Sequence, residues 1–409
     1  MKQILFVDDE TNVLQGLRRM LRPMRNKWNM RFADGGLAAL ELLDQQTCDV
    51  IISDMRMPGM DGAELLGHVR DKHPEAARIV LSGQTDKEAA MRSTSAAHQF
   101  LAKPCDAERL KSAIQRACQL RDFLRNEDLL KVVSGLPSLP SMPDIYMELT
   151  RELASEEMSL QRVAAIVGRD VALMAKLLQL VNSSFFGFSR HIENINQAVS
   201  FLGADVVRGL ALSTAVFTRF EGDLEQFQLQ RLWNHSQATA AIAAAIARKE
   251  SGDSTVIDQS LQAGMLHDIG RLVLAAYLPD EHNETVAIAD AEEIPVHLAE
   301  TRILGCDHSQ IGAYLMGLWG LPDAIVEAIA YHHDPKACVA ADFSPTIAVY
   351  AANCLVTVLH ETEEHVIEGA LADLSAIIDD EEKRAAWARI AREALDEQAE
   401  RDAALSAAS

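Results

Sequence analysis

Residues 49–62 read DVIISDMRMPGMDG, and the way this stretch breaks at Asp54 decides the fold. Val50, Ile51 and Ile52 form a short apolar run without alternation, the pattern of a strand buried on both faces. Pro58 and Gly59 then punctuate a loop, and Asp61 opens an amphipathic helical stretch. Outward from this unit the same alternation recurs. QILFVDD, MRFAD, RIVLSG and QFLAKP read as further strands, and TNVLQGLRRML, GGLAALELLDQQ, DGAELLGHVRDK, DKEAAMRSTS and DAERLKSAIQRA as helices. Five strand–helix units over residues 1–120 predict an α/β domain with a five-stranded, parallel, doubly wound sheet. In such sheets ligands bind beyond the carboxyl ends of the strands.

What stands at those ends is chemically specific. Asp8 and Asp9 end the first strand, Asp54 the third, Ser82 the fourth, and Lys103, followed by Pro104, the fifth. Converging carboxylates repel one another, and a hard divalent cation with oxygen ligands relieves the repulsion, magnesium being the natural choice. A carboxylate beside such a cation can attack a phosphoryl group, while an ammonium and a hydroxyl hold the oxygens of the acyl phosphate. Asp54 is best placed as the nucleophile. Any one of these acids alone would pass for a surface carboxylate; the whole set in this order does not.

In VDDE, SDMRMPGMDG, LSGQ and KP the segment resembles the receiver domains of two-component response regulators, which are flavodoxin-like. The resemblance covers all of residues 1–120. It implies that Asp54 accepts a phosphoryl group from a histidine kinase. Asp8, Asp9 and Asp54, with the carbonyl of Met55 or Arg56, would hold magnesium. Ser82 and Lys103 would contact the phosphoryl group and transmit the event, and Phe100 takes the aromatic switch position, where many receivers have Tyr. Met57, Pro58 and Gly59 are read as loop geometry.

Beyond the receiver, LKSAIQRACQLRDFLRNEDLLKVV keeps apolar residues at helical spacing, which predicts one continuous helix from Leu110 to Val133. Its stripe of Ile114, Ala117, Leu120, Phe123 or Leu124 and Leu130 either forms the seam of a homodimer or packs on the neighbouring domains. SGLPSLPSMP stops the helix at Gly135 and Pro137. Residues 121–134 are thus expected to be a helical connector and 135–345 a second domain. From Pro143 the pattern is helical almost throughout, with no strand-alternating run, and predicts an all-α domain with polar features at its centre. Residues 346–409 read as a helical extension with a frayed tail.

Histidines gather in that helical pattern: His235 in LWNHSQATAAIAAAIA, His267 and Asp268 in LHDIGRLVL, His308 in GCDHSQIGAYL, His332 and His333 in AIAYHHDP. An unpaired polar side chain is costly in apolar surroundings, so each needs a partner. For one histidine alone a hydrogen bond in a helical core suffices. Taken together, imidazoles plus a carboxylate also make a ligand set for zinc, iron or manganese, and an open coordination position would activate water for phosphoester hydrolysis.

LPSLP, RDVALMAKLLQLVNSSFFG, INQAVSFLG, AGMLHDIGRLVL, LGCDHSQIGAYLMGLWGLP and AIAYHHDP resemble the HDOD domain over roughly residues 134–340. That domain is a relative of the HD phosphohydrolases and is regarded as having lost catalysis. The branch of the superfamily that hydrolyses cyclic di-GMP places a Gly-Tyr-Pro element after the paired histidines; here DPKACVAADFSP follows. By the same likeness Asn353 stands where HD enzymes close the site with an aspartate, and Arg231, not an acid, lies one turn before His235. The resemblance implies a remnant metal site of His235, His267, Asp268, His308, His332, His333 and Asn353, with no catalytic residue in this domain.

A formal charge of -22 leaves no clustered Lys and Arg to neutralise phosphates, so direct nucleic-acid binding is not expected. No apolar stretch reaches the roughly 18 residues of a membrane span. MKQILFVDDE lacks a signal-peptide cleavage site. Six cysteines without CxxC pairs read as reduced thiols. A cytoplasmic protein is expected. The chain is expected to take a phosphoryl group on Asp54 from a cognate histidine kinase and to act, through a non-catalytic HDOD output, on a downstream signalling protein. The alternative is an output domain that hydrolyses a nucleotide or cyclic dinucleotide with a bound metal.

Overall fold

The structure is a computed structural model and describes residues 1–409 apart from 83–95, 122–123, 125, 137–138, 142, 156–157, 183–191, 193, 213–216, 220–225, 339–342, 361–371, 376 and 408–409. The helix expected over DKEAAMRSTS, the SSFFG of the HDOD-like stretch, Phe123 and Pro137 lie outside the described residues, as does the side chain of Ser82.

Strands β1 (Lys2–Val7), β2 (Trp28–Ala33), β3 (Val50–Asp54), β4 (Ala77–Ser82) and β5 (Gln99–Ala102) form one parallel sheet in the order β2-β1-β3-β4-β5. Helices α1 (Thr11–Met20), α2 (Gly36–Gln45), α3 (Gly62–Lys72) and α4 (Ala107–Leu120) complete the domain. Successive side chains on a strand point to opposite faces. Ile4, Phe6, Ile52 and Ile79 accordingly share one core with Leu110 and Ile114 of α4, while Leu5, Val7, Ile51, Val80 and Phe100 share the other with Leu65, Leu66 and Val69 of α3. Burial on both faces explains why β3 reads as an unbroken apolar run. The register sets Val7 beside Ser53, Asp54 beside Leu81 and Ser82 beside Ala102, so the chemistry-bearing residues emerge at one edge.

The continuous connector helix does not form. α4 ends at Leu120, Arg121, Leu124 and Asn126 are not helical, and α5 starts afresh at Glu127 and runs to Gly135. Asn126 is the physical reason: its side-chain oxygen accepts the N–H groups of Asp128 and Leu129, satisfying the donors that a new helix start leaves open. Its amide group also donates to the Leu304 carbonyl at 3.2 Å, which fixes the break against the second domain. The apolar stripe is covered within the chain, with Ile114, Ala117, Leu120, Leu124 and Leu130 all buried in a core that runs on into the second domain.

That domain comprises α6 (Pro143–Ala154), α7 (Leu160–Val167), α8 (Val171–Val181), α9 (Ile195–Leu212), α10 (Gln226–Glu250), α11 (Ser254–Leu266), α12 (Ile269–Tyr277), α13 (Pro279–Glu292), α14 (Val296–Leu304), α15 (His308–Leu318), α16 (Asp323–Ala330) and α17 (Pro345–His360), followed by α18 (Glu381–Ala407). The helical reading holds with one addition. β6 (Leu139–Ser141) and β7 (Phe217–Arg219) pair as a short parallel ladder, too brief to show alternation in the sequence. α18 packs on α10, where buried Trp387 donates its indole N–H to Glu250 at 2.8 Å and Lys383 pairs with the same carboxylate at 2.9 Å.

The two domains also meet through polar groups. Arg78 of β4 is wholly buried, and its guanidinium donates to the carbonyls of Ala96 (2.6 Å), Pro74 (3.0 Å) and, at the end of α5, Ser134 (2.6 Å). His98 accepts the Arg78 backbone N–H on Nδ1, which leaves Nε2–H to donate to Ser134 at 2.8 Å. Burial and the neighbouring guanidinium hold His98 far below the usual imidazole range, so it stays neutral. The Ser134 hydroxyl in turn meets Tyr314 of α15 at 2.6 Å. Among the described residues no helix is long and apolar enough to cross a membrane, and every described cysteine is free.

Candidate functional site

At the carboxyl edge of the sheet, Lys103 follows β5 and reaches both carboxylates: Asp8 at 2.7 Å and Asp54 in a still closer ion pair. Asp8 and Asp54 are buried and Asp9 is exposed. The other oxygen of Asp54 accepts the backbone N–H of Arg56 at 3.0 Å, and Asp8 accepts that of Glu10 at 2.9 Å, so both acids are aimed by their own loops. Burial raises the Asp54 pKa, and its contacts with Lys103 only partly offset this. Burial works against the charge on Lys103, yet Asp54 and Asp8 outweigh it and raise its pKa. The proton therefore stays on the amine. The Met55 carbonyl accepts the Gly62 N–H at 2.9 Å at the start of α3. Phe100 is buried beside β4, and Ser82 closes β4 next to Ala102.

The second cluster is assembled from six helices. His235 projects from α10, His267 and Asp268 from the junction of α11 and α12, His308 from the first turn of α15, His332 and His333 from the bend just after α16, and Asn353 from α17. Asp268 sits at the centre. Its Oδ1 lies 3.2 Å from His308 Nε2 and 3.6 Å from both His267 Nε2 and His332 Nε2, and its Oδ2 lies 4.0 Å from His235 Nε2. Asn353 hydrogen-bonds the His235 ring. The structure thus brings every histidine named from the sequence to one place.

Their tautomers are fixed from outside. The Nδ1 atoms of His267 and His332 face the carbonyls of Gly264 (2.7 Å) and Ile329 (2.8 Å), which can only accept, so each Nδ1 carries the hydrogen. Each Nε2 lone pair then points inward. Carbonyl or carboxylate partners on the outer nitrogen are what orient metal-ligating histidines. Among the described residues the buried His332 Nε2 has no hydrogen-bond partner, and His308 and His333 bring their Nε2 atoms within 2.9 Å of each other. Burial holds His267, His332 and His333 below the usual range, in the neutral form that binds metal. His308 differs: burial opposes its charge, but Glu300 and Asp268 push it up to about 10. A proton and a cation therefore compete for the gap between His308 and Asp268.

Two triads, His235–His267–Asp268 and His308–His332–His333, hold ligand atoms within 4.8 Å of one another. Donors about 2.0–2.2 Å from a shared ion lie up to about 4 Å apart, so small side-chain shifts complete either triad. The orphaned His332 nitrogen and the imidazole–carboxylate donor set fit a transition metal.

Three residues of this site went unassigned in the sequence. Glu300 is fully buried and accepts both the backbone N–H of His308 (2.8 Å) and its ring Nδ1–H (2.6 Å). His297 stacks on His333 with ring centroids 4.0 Å apart. Arg271 reaches Asp268 at 3.4 Å. A signal for Glu300 did exist: it falls on the helical face of Val296, Ile303 and Leu304, where a carboxylate demands a partner.

Residues 4–115 match the family model of the response regulator receiver domain, and residues 139–335 that of the HDOD domain. A Treponema pallidum protein described as uncharacterized is 28% identical over 203 residues, covering 50% of this chain and 39% of that protein. The DNA-binding transcriptional regulator NtrC of Escherichia coli is 29% identical over 157 residues, covering 36% of this chain and 33% of its own length. The chain thus spans well under half the length of these relatives. Among solved structures, the MmoQ response regulator of Methylococcus capsulatus is 22% identical with a TM-score of 0.48, covering 58% of this chain and 93% of that one. The chain joins an N-terminal response regulator receiver domain to an HDOD domain.

Proposed function

We propose that Asp54 accepts a phosphoryl group from a histidine kinase and that the HDOD domain passes the signal to a downstream protein by contact, without hydrolysing a substrate. The contact of one lysine with both Asp8 and Asp54 carries the first half of this reading. Magnesium held by Asp8, Asp9 and Asp54 would screen their mutual repulsion and draw in the phosphoryl oxygens. The chain's own groups do the rest. An Asp54 oxygen forms the new P–O bond as the P–N bond to the donor histidine breaks, the imidazole leaving as a neutral ring with a proton from solvent. Lys103 then moves from carboxylate to phosphoryl oxygen, and Ser82, at the end of β4, would supply a hydroxyl to the same group. Intact mass after incubation with magnesium and a small phosphodonor tests this: one phosphate on wild type and none on Asp54→Asn is expected, and equal labelling of the variant refutes the assignment.

For the output domain, Asn353 in place of a closing carboxylate supports a cation held as a structural plug. A bound ion of this kind stabilises the fold that presents its ligands. Convergence of the imidazoles on Asp268 favours the second reading, a phosphohydrolase of cyclic dinucleotides. Chromatography of cyclic di-GMP after incubation with manganese-, iron- or zinc-loaded protein separates the two. No turnover is expected; turnover that vanishes in His267→Ala and Asp268→Ala establishes the second.

A further inference from the structure

We propose that a divalent transition-metal ion at the histidine cluster and a phosphoryl group at Asp54 are energetically linked through α15, each changing how tightly the protein holds the other. This rests on the reading of the cluster as a cation site. The two sites share one stiff element. Every residue of α15 except Gln310 is buried, and a close-packed interior does not let such a helix shift piecemeal. At about 1.5 Å per residue it spans about 16 Å.

One end of that rod belongs to the cluster. His308 is its first residue, tied by ring and backbone to Glu300 and lying 3.2 Å from Asp268. Gly270, two residues after Asp268, packs so closely on it that a Cβ there would lie 2.0 Å from the His308 carbonyl oxygen. A cation that draws His308 and Asp268 together therefore acts directly on the start of the helix.

The other end belongs to the receiver. The last carbonyls of a helix lack partners inside it. Here those of Gly317 and Leu318 accept the side-chain amide of Gln99 at 3.3 and 3.0 Å. Gly317 also admits Leu120 of α4, whose methyl carbon would lie 2.7 Å from any Cβ at that position. Gln99 opens β5, the strand that leads directly to Lys103 and its contacts with Asp8 and Asp54. A phosphoryl group on Asp54 gives Lys103 a bulkier, more highly charged partner, which moves the end of β5, and Gln99 conveys that movement to α15.

Linkage of this kind is reciprocal, and couplings between distant sites are typically about 5–150-fold in affinity. Cobalt(II) titrated into the full-length protein in excess magnesium reports the cluster through the visible absorption of imidazole-ligated ion, with beryllofluoride as the phosphoryl mimic at Asp54. The expected result is a cobalt Kd that changes about fivefold or more on adding beryllofluoride. The same ratio should appear in beryllofluoride affinity with and without cobalt. Gln99→Ala should remove most of that ratio while leaving each affinity, measured alone, intact. Cobalt absorption that survives His267→Ala, or its complete absence, overturns the cation reading and the linkage with it. Cobalt bound at the cluster with one Kd in both states overturns the linkage alone.

Discussion

Gly270 and His308 show how much of the site depends on close backbone approach. Alanine at 270 would drive its methyl into the His308 carbonyl, so the start of α15 must move or α12 must. Gly270→Ala should cost about 1–3 kcal/mol, the usual penalty for overpacking, as a lower urea midpoint. An unchanged midpoint would mean the two helices part freely. At this scale the sequence was most informative where chemistry is rare: a buried strand ending in Asp54, or paired histidines in an apolar helix, has few other uses. It was silent on Arg78 and His98. Both look like ordinary surface residues until the fold supplies Ser134 as the group they share. His297 was equally hidden, because its partner is a ring 36 residues further along the chain.

Helices and strands were legible wherever their own periodicity decided them, and the five strands of the sheet and the described helices on either side of the connector follow that pattern. The connector departs from its own spacing: apolar residues continue past Leu120, yet the capping side chain of Asn126 and its bond to Leu304 break the helix there. Spacing reports which face is buried; it does not report a local hydrogen bond that competes with the helix. The C-terminal helix α18 offers a test at the same scale. Burial alone would raise the Glu250 pKa, but hydrogen bonds from Lys383 and Trp387 outweigh it and lower it below the usual 4.5. A lowered folded-state value contributes stability that is present above 4.5 and is lost as pH falls through the depressed value. Glu250→Gln should therefore lose about 0.5 kcal/mol at neutral pH, as expected for a partly exposed pair, and nothing once the carboxylate is protonated. Melting curves of both proteins across acid pH check this, and a difference that grows on acidification contradicts it.

Across the whole molecule, the receiver and HDOD domains are joined by one apolar core and by the polar contacts at Ser134, Tyr314 and Gln99. None of this docking was readable from the sequence, since each partner lies in the other domain and carries no local pattern. The stripe that runs from α4 into α5 came nearest: its burial was plain, but a dimer partner and a neighbouring domain leave the same mark. If phosphorylation acts by shifting this docking, the favoured arrangement must hold the phosphoryl group better than the other. Hydrogen exchange of the full-length protein with and without beryllofluoride measures that directly. The prediction is altered protection in β5, at residues 133–135 and in the last turn of α15, absent in Asp54→Asn. Profiles that match in both states outside the immediate surroundings of Asp54, or that change equally in the variant, would contradict it.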